Sequence, residues 1–259
     1  MLEDLLEKPA SYLVSNSDTP LEPALFQRFQ ELLARRLNGE PLAYILGHWG
    51  FWSLDLLVSP TTLIPRPETE LLVELAIQLY DDQPNIHALD LGTGTGAIAL
   101  AVASERPAWQ VTATDQSSEI IEVAQSNALR NHIKNVQFAV GGWYQALQQS
   151  ATEQTERYDL IISNPPYIEP DDPHLGQGDV RFEPLSALVA DDDGLADLRT
   201  IINHANQYLK PDGRVMVEHG YQQGESVRAL FLAAGFVEVE TKNDLAGHER
   251  VTLGQLPSA

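Results

Sequence analysis

The sequence predicts an α/β protein built on a mostly parallel, seven-stranded sheet with helices on both faces. Beyond Pro65, short apolar segments typical of buried strands alternate with longer segments of helical period. A glycine-rich turn, Gly92 to Gly96, joins the first of these strands to the helix that follows it. Before Pro65 this alternation is absent, which indicates a separate small domain and a connecting segment.

The first part of the 259-residue chain, residues 1–42, is predicted to form a small helical domain. Its apolar side chains recur at helical spacing, at Leu25, Phe29, Leu32, Leu33 and Leu37. Asn38-Gly39 is a typical helix end. At residues 43–58 aromatic and β-branched side chains become frequent around two glycines, and we predict a β-hairpin there, within a linker over residues 43–64.

The remainder, residues 65–259, is predicted to form one larger domain. We predict one helix from Pro67 onward and further helices at Thr95–Glu105, Ser117–Leu129, Leu195–Leu209 and Gly224–Ala234. The seven predicted strands are Ile86–Leu91, Val111–Asp115, Val136–Val140, Tyr158–Ser163, Arg214–Glu218, Val237–Thr241 and Val251–Leu253. Ligands of such sheets bind beyond the carboxyl ends of the strands, so we expect the chemistry near Asp90, Asp115 and Ser163.

Composition excludes several classes of function. With 16 Lys and Arg against 37 Asp and Glu, the net charge is −21, which repels a nucleic-acid backbone at long range. The chain has no cysteine, so disulfides, thiolate nucleophiles and Cys-ligated zinc are excluded, and we predict no metal site. The longest apolar stretch is too short to span a bilayer, and the N-terminus is acidic where a signal peptide is basic. We expect a soluble, cytoplasmic monomer without membrane contacts.

The turn over Asp90, Gly92, Thr93, Gly94, Thr95 and Gly96 is predicted to lie against a ligand. Glycines let the backbone approach a bound molecule. The second strand ends at Asp115, 23 positions after Gly92, where a carboxylate accepts hydrogen bonds from both hydroxyls of a ribose. Gly92, Gly94 and Ala97 also fit the looser dinucleotide pattern, so NAD is an alternative at this point. Against NAD, Asp90 would sit poorly beside a pyrophosphate and well beside the ammonium group of an amino acid.

The tetrapeptide Asn164-Pro165-Pro166-Tyr167 follows the fourth strand. Its prolines fix φ and carry no N–H, so the Asn164 side chain and the Pro165 carbonyl are held in place as hydrogen-bond acceptors. Together they fit the two N–H bonds of a planar –NH2 group, whose nitrogen is a poor nucleophile that needs accurate aim. We expect Tyr167 to stack on the flat face of that group. Taken alone, the tetrapeptide also fits a proline-rich turn with an asparagine cap.

These motifs together resemble those of the amino-methyltransferases, which act on adenine N6, guanine N2 or a glutamine amide nitrogen. Three further parts of the chain are similar to the glutamine methyltransferases of bacterial release factors. They are residues 41–47 with 63–70, residues 179–184 with 187–188, and residues 217–220 with 249–251. The similarity extends over nearly the whole chain from about Leu32 onward, which makes it far more specific than the tetrapeptide alone.

The resemblance implies a Rossmann-like, S-adenosylmethionine-dependent methyltransferase. It implies that the cofactor is bound by Asp90, Gly92, Thr93, Gly94, Thr95, Gly96, Asp115, Trp143 and Asn164, with Trp143 against the adenine. It implies that the acceptor is the glutamine in the Gly-Gly-Gln segment of class I peptide-chain release factors. That glutamine would be bound by Asn164, Pro165, Pro166 and Tyr167, with Asn164, Pro165 and Tyr167 taking part in catalysis. Where the family usually has an acid before this tryptophan, the chain has Gly142.

A nucleic-acid adenine or guanine methyltransferase shares the loop and the tetrapeptide and is the first alternative. It should carry a basic groove or a recognition domain, whereas here the net charge is −21. A dehydrogenase or a non-enzymatic binding module is the second alternative, which binding of NAD or S-adenosylmethionine would distinguish. The polar cluster of Arg66, Glu68 and Thr69 fits the lining of the site and a helix start equally well, and His219 fits a structural histidine, so none of them is assigned to the site.

Overall fold

The computed structural model describes residues 1–148 and 157–258 and contains the predicted sheet. Seven strands pair in the order β5-β4-β3-β6-β7-β9-β8, and every pairing is parallel except those of β9 with β7 and β8. These strands are β3 His87–Leu91, β4 Gln110–Asp115, β5 Val136–Val140, β6 Tyr158–Ser163, β7 Leu209–Glu218, β8 Val237–Asn243 and β9 Glu249–Gln255. The α/β class with a mostly parallel sheet is therefore confirmed.

Helices cover both faces of this sheet. They are α5 Glu70–Leu79, α6 Ala97–Glu105, α7 Ser118–Arg130, α8 Gln145–Gln148, the short turn α9 Asp191–Gly194, α10 Ala196–Ala205 and α11 Gly224–Ala233. Short 3₁₀ helices lie at Pro67–Thr69, Pro173–Gly176, Val180–Phe182 and Leu185–Ala187. One core lies between the sheet and α5, α6 and α7, and the other between the sheet and α10 and α11.

Consecutive side chains of β6 show why the strand sequences are continuously apolar. Leu160 and Ile162 belong to the core beside α6, while Ile161 between them belongs to the core beside α10. Since successive side chains of a strand point to opposite faces, a sheet covered on both faces needs apolar residues at every position. Helix α6 is also buried from Ala97 to Ala103, which explains its uniformly apolar sequence.

Helix starts differ from the prediction by one to three residues where backbone geometry decides. The helix predicted from Thr95 begins at Ala97, because Gly96 has a φ of 86° that a helix does not contain. The helix predicted from Pro67 is a 3₁₀ turn that continues into α5. Ser117 caps α7 by accepting the backbone N–H of Ile120 at 3.4 Å, so it precedes the helix.

The N-terminal part is helical as predicted, in the helices α1 Leu2–Leu6, α2 Ala10–Ser15 and α3 Pro23–Leu37. The predicted hairpin is wrong at its beginning, because Leu42–Leu46 forms a helix, α4, that ends where Gly47 adopts a φ of 79°. The hairpin itself consists of β1 His48–Phe51 and β2 Leu54–Leu57. Tyr44 and Ile45 are residue types typical of a buried strand, but they are buried as part of the helix α4. The domain boundaries at residues 42 and 64 stay a prediction.

The fully buried side chain of Asn127 ties the hairpin to the larger domain. From α7, its Oδ1 accepts the backbone N–H of Leu57 at 2.6 Å and its Nδ2 donates to the Leu57 carbonyl at 3.0 Å. The same Nδ2 donates to the carbonyl of Thr95 in the glycine-rich turn at 2.8 Å. One amide thus fixes the end of the hairpin relative to the turn. No helix among the described residues is both long and apolar enough to cross a membrane.

Candidate active site

A cavity opens at the carboxyl ends of β3, β4 and β6. The strand order reverses there, since β3 pairs with β4 on one side and with β6 on the other. Most of the wall comes from the turn after β3, the end of β4, the segment after β5 and the tetrapeptide after β6. Its lining includes Gly92, Thr93, Gly94, Thr95, Asp115, Trp143, Asn164 and Pro166 from the predicted set, together with Thr61, Thr62, Leu63, Thr69, Ser186, Ala187 and Asp197.

Backbone hydrogen bonds to β4 hold the glycine-rich turn open toward the cavity. The N–H groups of Gly92 and Thr93 both donate to the Thr114 carbonyl, at 2.9 and 2.8 Å. Gly92 and Gly94 have φ values of 73° and 57°, in the left-handed region that favours glycine. A Cβ on Gly94 would meet no atom within 4 Å, so this part of the backbone faces open space. The geometry fits a loop against which a ligand lies.

Asp115 lies at the end of β4 with its carboxylate at the cavity wall. Its Oδ2 accepts the Gly94 N–H at 3.1 Å and its Oδ1 accepts the Ser117 N–H at 3.2 Å. A carboxylate has about four acceptor positions, so these donors do not exhaust its capacity to accept a ribose hydroxyl. Burial raises the pKa of Asp115 above its usual range, while the backbone N–H groups oppose that rise. The predicted role in ribose binding is compatible with this arrangement.

We expect Asp115→Ala to weaken S-adenosylmethionine binding by about 1–3 kcal/mol, because two ribose hydroxyls lose a charged acceptor. Isothermal titration of the cofactor into both proteins measures the difference. Asp82→Ala is the matched control, since it removes the same charge from an exposed position after α5. An unchanged dissociation constant for Asp115→Ala would remove Asp115 from the site.

Asp90 lies beneath the turn rather than in the cavity wall. Only 1% of the residue is exposed, and its Oδ2 accepts the Thr93 hydroxyl at 2.6 Å and the Ala99 N–H at 3.2 Å. No described group makes a hydrogen bond with its Oδ1. Burial raises the pKa of Asp90 to about 7, against the effect of these two donors. Such a carboxyl group shapes the turn, and its unpaired oxygen fits a cationic or N–H-bearing ligand group nearby.

The Trp143 ring lies against the glycine-rich turn and lines the cavity. A Cβ on Gly92 would come within 3.1 Å of its Cζ3 atom. The segment before it, with Gly142, also belongs to the wall. Asp197 of α10 lines the same wall and accepts a hydrogen bond from the Trp143 side chain, and burial raises the pKa of Asp197. The contact of Trp143 with the adenine stays a prediction, and Asp197 supplies a carboxylate in a wall where Gly142 has none.

The tetrapeptide after β6 also reaches the cavity. Asn164 and Pro166 line it, whereas Pro165 is buried and does not line it. The Asn164 Nδ2 donates to the Thr69 hydroxyl at 3.0 Å. The Tyr167 hydroxyl donates to Glu218 Oε1 at 3.1 Å and its backbone N–H donates to the Leu188 carbonyl at 3.2 Å. Stacking by Tyr167 stays a prediction, since in this structure its hydroxyl is directed to Glu218.

Four residues that the sequence prediction left out contribute to this site. Thr69 lines the cavity, and its hydroxyl donates to Glu218 Oε2 at 2.7 Å. The Arg66 guanidinium pairs with the buried carboxylate of Glu183, which connects the segment before α5 to the 3₁₀ segment that carries Ser186 and Ala187. A sequence signal did exist for them, because all four lie in the segments that resemble the release factor enzymes.

The structure thus gathers most of the predicted cofactor and acceptor residues around one cavity. The others, namely Asp90, Gly96, Pro165 and Tyr167, do not line it. An open glycine backbone, a ribose-type carboxylate and an aromatic ring line one side, and the unpaired oxygen of Asp90 lies beneath. These groups fit S-adenosylmethionine, which combines an amino-acid end, a ribose and an adenine.

Comparison with known proteins agrees with this geometry. A methyltransferase domain matches residues 82–249, and a PrmC N-terminal domain matches residues 1–47. The release factor glutamine methyltransferase of Vibrio cholerae is 52% identical over 258 residues, which cover 98% of this chain and 87% of the relative. The protein of the same name from Aliivibrio fischeri is 50% identical over 256 residues, which cover 98% of this chain and 88% of the relative.

Solved structures show the same fold. A methyltransferase from Pyrococcus furiosus aligns with a TM-score of 0.57 at 20% identity, covering 88% of this chain and 98% of that chain. The hMettl16 catalytic domain, solved in complex with MAT2A 3'UTR hairpin 6, aligns with a TM-score of 0.60 at 16% identity, covering 79% and 76%. Identities this low show the fold alone, whereas the sequence relatives are similar over nearly the full length. On that evidence, the chain belongs to the family of release factor glutamine methyltransferases.

Proposed function

We propose that this chain transfers a methyl group from S-adenosylmethionine to the side-chain amide nitrogen of the glutamine in the Gly-Gly-Gln segment of class I peptide-chain release factors. The observation that carries the proposal is that Asn164 lines the same cavity as the glycine-rich turn and Asp115. Relatives about half identical in sequence bear the name release factor glutamine methyltransferase. We further propose that the enzyme acts as a monomer in the cytoplasm, where release factors work.

The chemistry requires positioning more than a strong base. When bound, S-adenosylmethionine supplies an electrophilic methyl group: the C–N bond to the amide nitrogen forms as the C–S bond breaks, the sulfonium becomes a neutral thioether, and the extra amide proton passes to water. Asn164 Oδ1, at the cavity wall, accepts one N–H bond of the acceptor amide. The second acceptor in this proposal is the backbone carbonyl of Pro165, a buried residue that does not itself line the cavity. Together these acceptors aim the nitrogen at the methyl group and stabilise the positive charge that builds on it.

His219 has no part in this proposal. Its side chain is fully buried, its Nε2 lies 2.8 Å from the Thr252 hydroxyl and its Nδ1 lies 2.9 Å from the Gly220 carbonyl. Burial lowers the pKa of His219, so the ring is neutral at physiological pH. Both ring nitrogens are engaged within the protein, which supports the structural interpretation made from the sequence.

Methylation of nucleic acid is the competing function, because enzymes that methylate nucleic-acid bases and enzymes that methylate glutamine resemble each other in the fold and the tetrapeptide. The net charge of −21 disfavours it, since binding to a phosphate backbone depends on Lys and Arg. The RNA in the hMettl16 structure belongs to that protein, whose 16% identity to this chain indicates a shared fold only.

The acceptor atom is tested with a purified release factor and labelled S-adenosylmethionine. We expect label on the wild-type factor, none on a variant with glutamate in place of the acceptor glutamine, and severely reduced label on the asparagine variant. A carboxylate has no N–H to offer, and the shorter amide withdraws the nitrogen by about one bond length from the methyl group.

Peptide mapping of the labelled factor identifies the modified residue, and naked DNA and RNA serve as parallel substrates. Equal labelling of the glutamate variant would show that the methyl group goes elsewhere. Stoichiometric labelling of naked nucleic acid would instead favour the competing function.

A further inference from the structure

A short chain of hydrogen bonds runs from Asn164 at the cavity wall to a buried carboxylate. That carboxylate belongs to Glu218, the last residue of β7, which is 1% exposed. Glu218 Oε2 accepts the Thr69 hydroxyl at 2.7 Å, and Thr69 Oγ1 in turn accepts the Asn164 Nδ2 at 3.0 Å. The other carboxylate oxygen, Oε1, accepts the Tyr167 hydroxyl at 3.1 Å. One buried carboxylate thus holds both ends of the tetrapeptide, Asn164 through Thr69 and Tyr167 directly.

The direction of these hydrogen bonds follows from counting protons. An ionised carboxylate only accepts hydrogen bonds, so the single hydroxyl proton of Thr69 is used on Glu218. Thr69 therefore presents only lone pairs to Asn164, which must turn its –NH2 group toward Thr69. The two ends of the Asn164 amide are opposite in hydrogen-bonding character, and the Oδ1 end is left to act as an acceptor for a bound molecule.

We propose that Glu218 and Thr69 are positioning residues that turn the Oδ1 of Asn164, the hydrogen-bond acceptor of its amide, toward the substrate. This inference rests on the proposed transfer to an –NH2 group. A reversed Asn164 amide would present N–H groups to the N–H groups of the acceptor glutamine, and the nitrogen would lose a hydrogen bond and its alignment. The hydrogen-bonded chain Glu218–Thr69–Asn164, called the relay below, therefore favours a methyl acceptor nitrogen that carries protons. It disfavours a carbonyl or carboxylate oxygen in the same position.

Burial of this carboxylate makes the relay sensitive to its protonation. Desolvation raises the pKa of Glu218 to about 7, opposed by the donations from Thr69 and Tyr167 and by the charge of Arg250, while the charge of Glu68 adds to the rise. Above that pH the carboxylate accepts from both hydroxyls, which is the arrangement that the structure contains. Assays of the relay therefore belong at about pH 8.5, where the carboxyl is ionised.

The test compares Thr69→Val, which keeps the shape of the side chain and removes its hydroxyl, with Thr69→Ser, which keeps the hydroxyl. We expect Thr69→Val to lower kcat for a purified release factor by about 10- to 100-fold, because the Asn164 amide is no longer held in one orientation. We expect Thr69→Ser to stay within about threefold of wild type. The dissociation constant for S-adenosylmethionine, the KM for the release factor and the thermal midpoint should change little in either variant.

Glu218→Gln is an independent probe of the same relay. A glutamine offers one acceptor oxygen and one –NH2 group where the glutamate offers two acceptor oxygens, so Thr69 and Tyr167 can no longer each donate to a separate oxygen. With its –NH2 group toward Thr69, the glutamine would release the Thr69 proton toward Asn164. We expect a similar fall in kcat. Thr112→Val, in the middle of β4 and outside the cavity lining, controls for the loss of a partly buried threonine hydroxyl.

The outcomes separate the relay from the function. A wild-type kcat in Thr69→Val would overturn the relay, and so would a Thr69→Ser variant as slow as Thr69→Val, since packing rather than the hydroxyl would then matter. If Thr69→Val loses cofactor binding, the other two variants test the relay. A wild-type kcat in Glu218→Gln, or a strongly reduced kcat in Thr69→Ser, would then overturn it. Absence of label on the release factor with the wild-type enzyme would contradict the proposed function itself, whatever the variants do.

Discussion

Replacing Asn164 with alanine is expected to slow methyl transfer by about 10²–10⁴-fold while leaving the affinity for S-adenosylmethionine nearly unchanged. The acceptor amide loses the side chain that accepts one of its N–H bonds, so its nitrogen is neither aimed nor stabilised. The Thr69 hydroxyl also loses the Asn164 donor and faces the gap that the substitution creates. Single-turnover rates with a purified release factor, measured beside cofactor titrations, separate the two effects.

Asn164→Asp is the informative companion. It keeps an acceptor oxygen facing the cavity but places a second oxygen opposite Thr69 Oγ1, whose proton is already donated to Glu218. It also adds a negative charge near the sulfonium, so cofactor binding should persist while the acceptor amide is misplaced. A transfer rate for Asn164→Ala within threefold of wild type would show that the amide is held by other groups.

Replacing Gly94 with valine is expected to abolish measurable binding of S-adenosylmethionine. Gly94 has a φ of 57°, and its missing Cβ faces open space in the cavity wall. A valine there meets two penalties, because a β-branched residue is strained at positive φ and its side chain occupies the space reserved for the ligand. The Gly94 N–H that donates to Asp115 at 3.1 Å would also be disturbed.

Gly247→Val separates these two penalties. Gly247 has a φ of 85° and equally open surroundings, but it lies in the turn between β8 and β9, outside the cavity lining. The Gly247→Val substitution should lower the thermal midpoint through backbone strain and leave cofactor binding intact. Thermal shift with and without S-adenosylmethionine, followed by calorimetry, measures both quantities. Retention of full affinity in Gly94→Val would show that the turn does not contact the cofactor.

The fold class and the motifs at the strand ends could be predicted from the sequence alone. Strands that alternate with helices predicted the fold class. The strands were recognisable as continuously apolar segments, because a sheet covered on both faces needs apolar side chains at every strand position. The glycine-rich turn, Asp115 and the tetrapeptide were recognisable because each is a short contiguous motif at a predicted strand end. Ligands bind at that edge in any sheet of this kind, so the place of the cavity followed as well.

Local pattern failed where packing decides the conformation. Residues 43–46 have the aromatic and β-branched composition of a strand, but Pro41 precedes them, Gly47 ends them at positive φ and the segment forms α4. The side chains of Ala43 and Tyr44 are buried against Val58 and Ile64, which lie beyond the hairpin. A short apolar run can be buried as a helix turn or as a strand, and only its partners distinguish the two.

The hydrogen bonds that the proposed catalytic residue Asn164 makes within the protein were decided by the tertiary structure. Thr69 and Glu218 are 149 positions apart, and Asn164 and Thr69 are 95 apart, so no period or motif relates them. Asn127 joins the hairpin to the glycine-rich turn across 70 and 32 positions in the same way. Sequence alone determined which residue types stand at the strand ends. The sheet topology decided which distant polar groups meet there, and a buried polar group must find its partner wherever the folded chain places one.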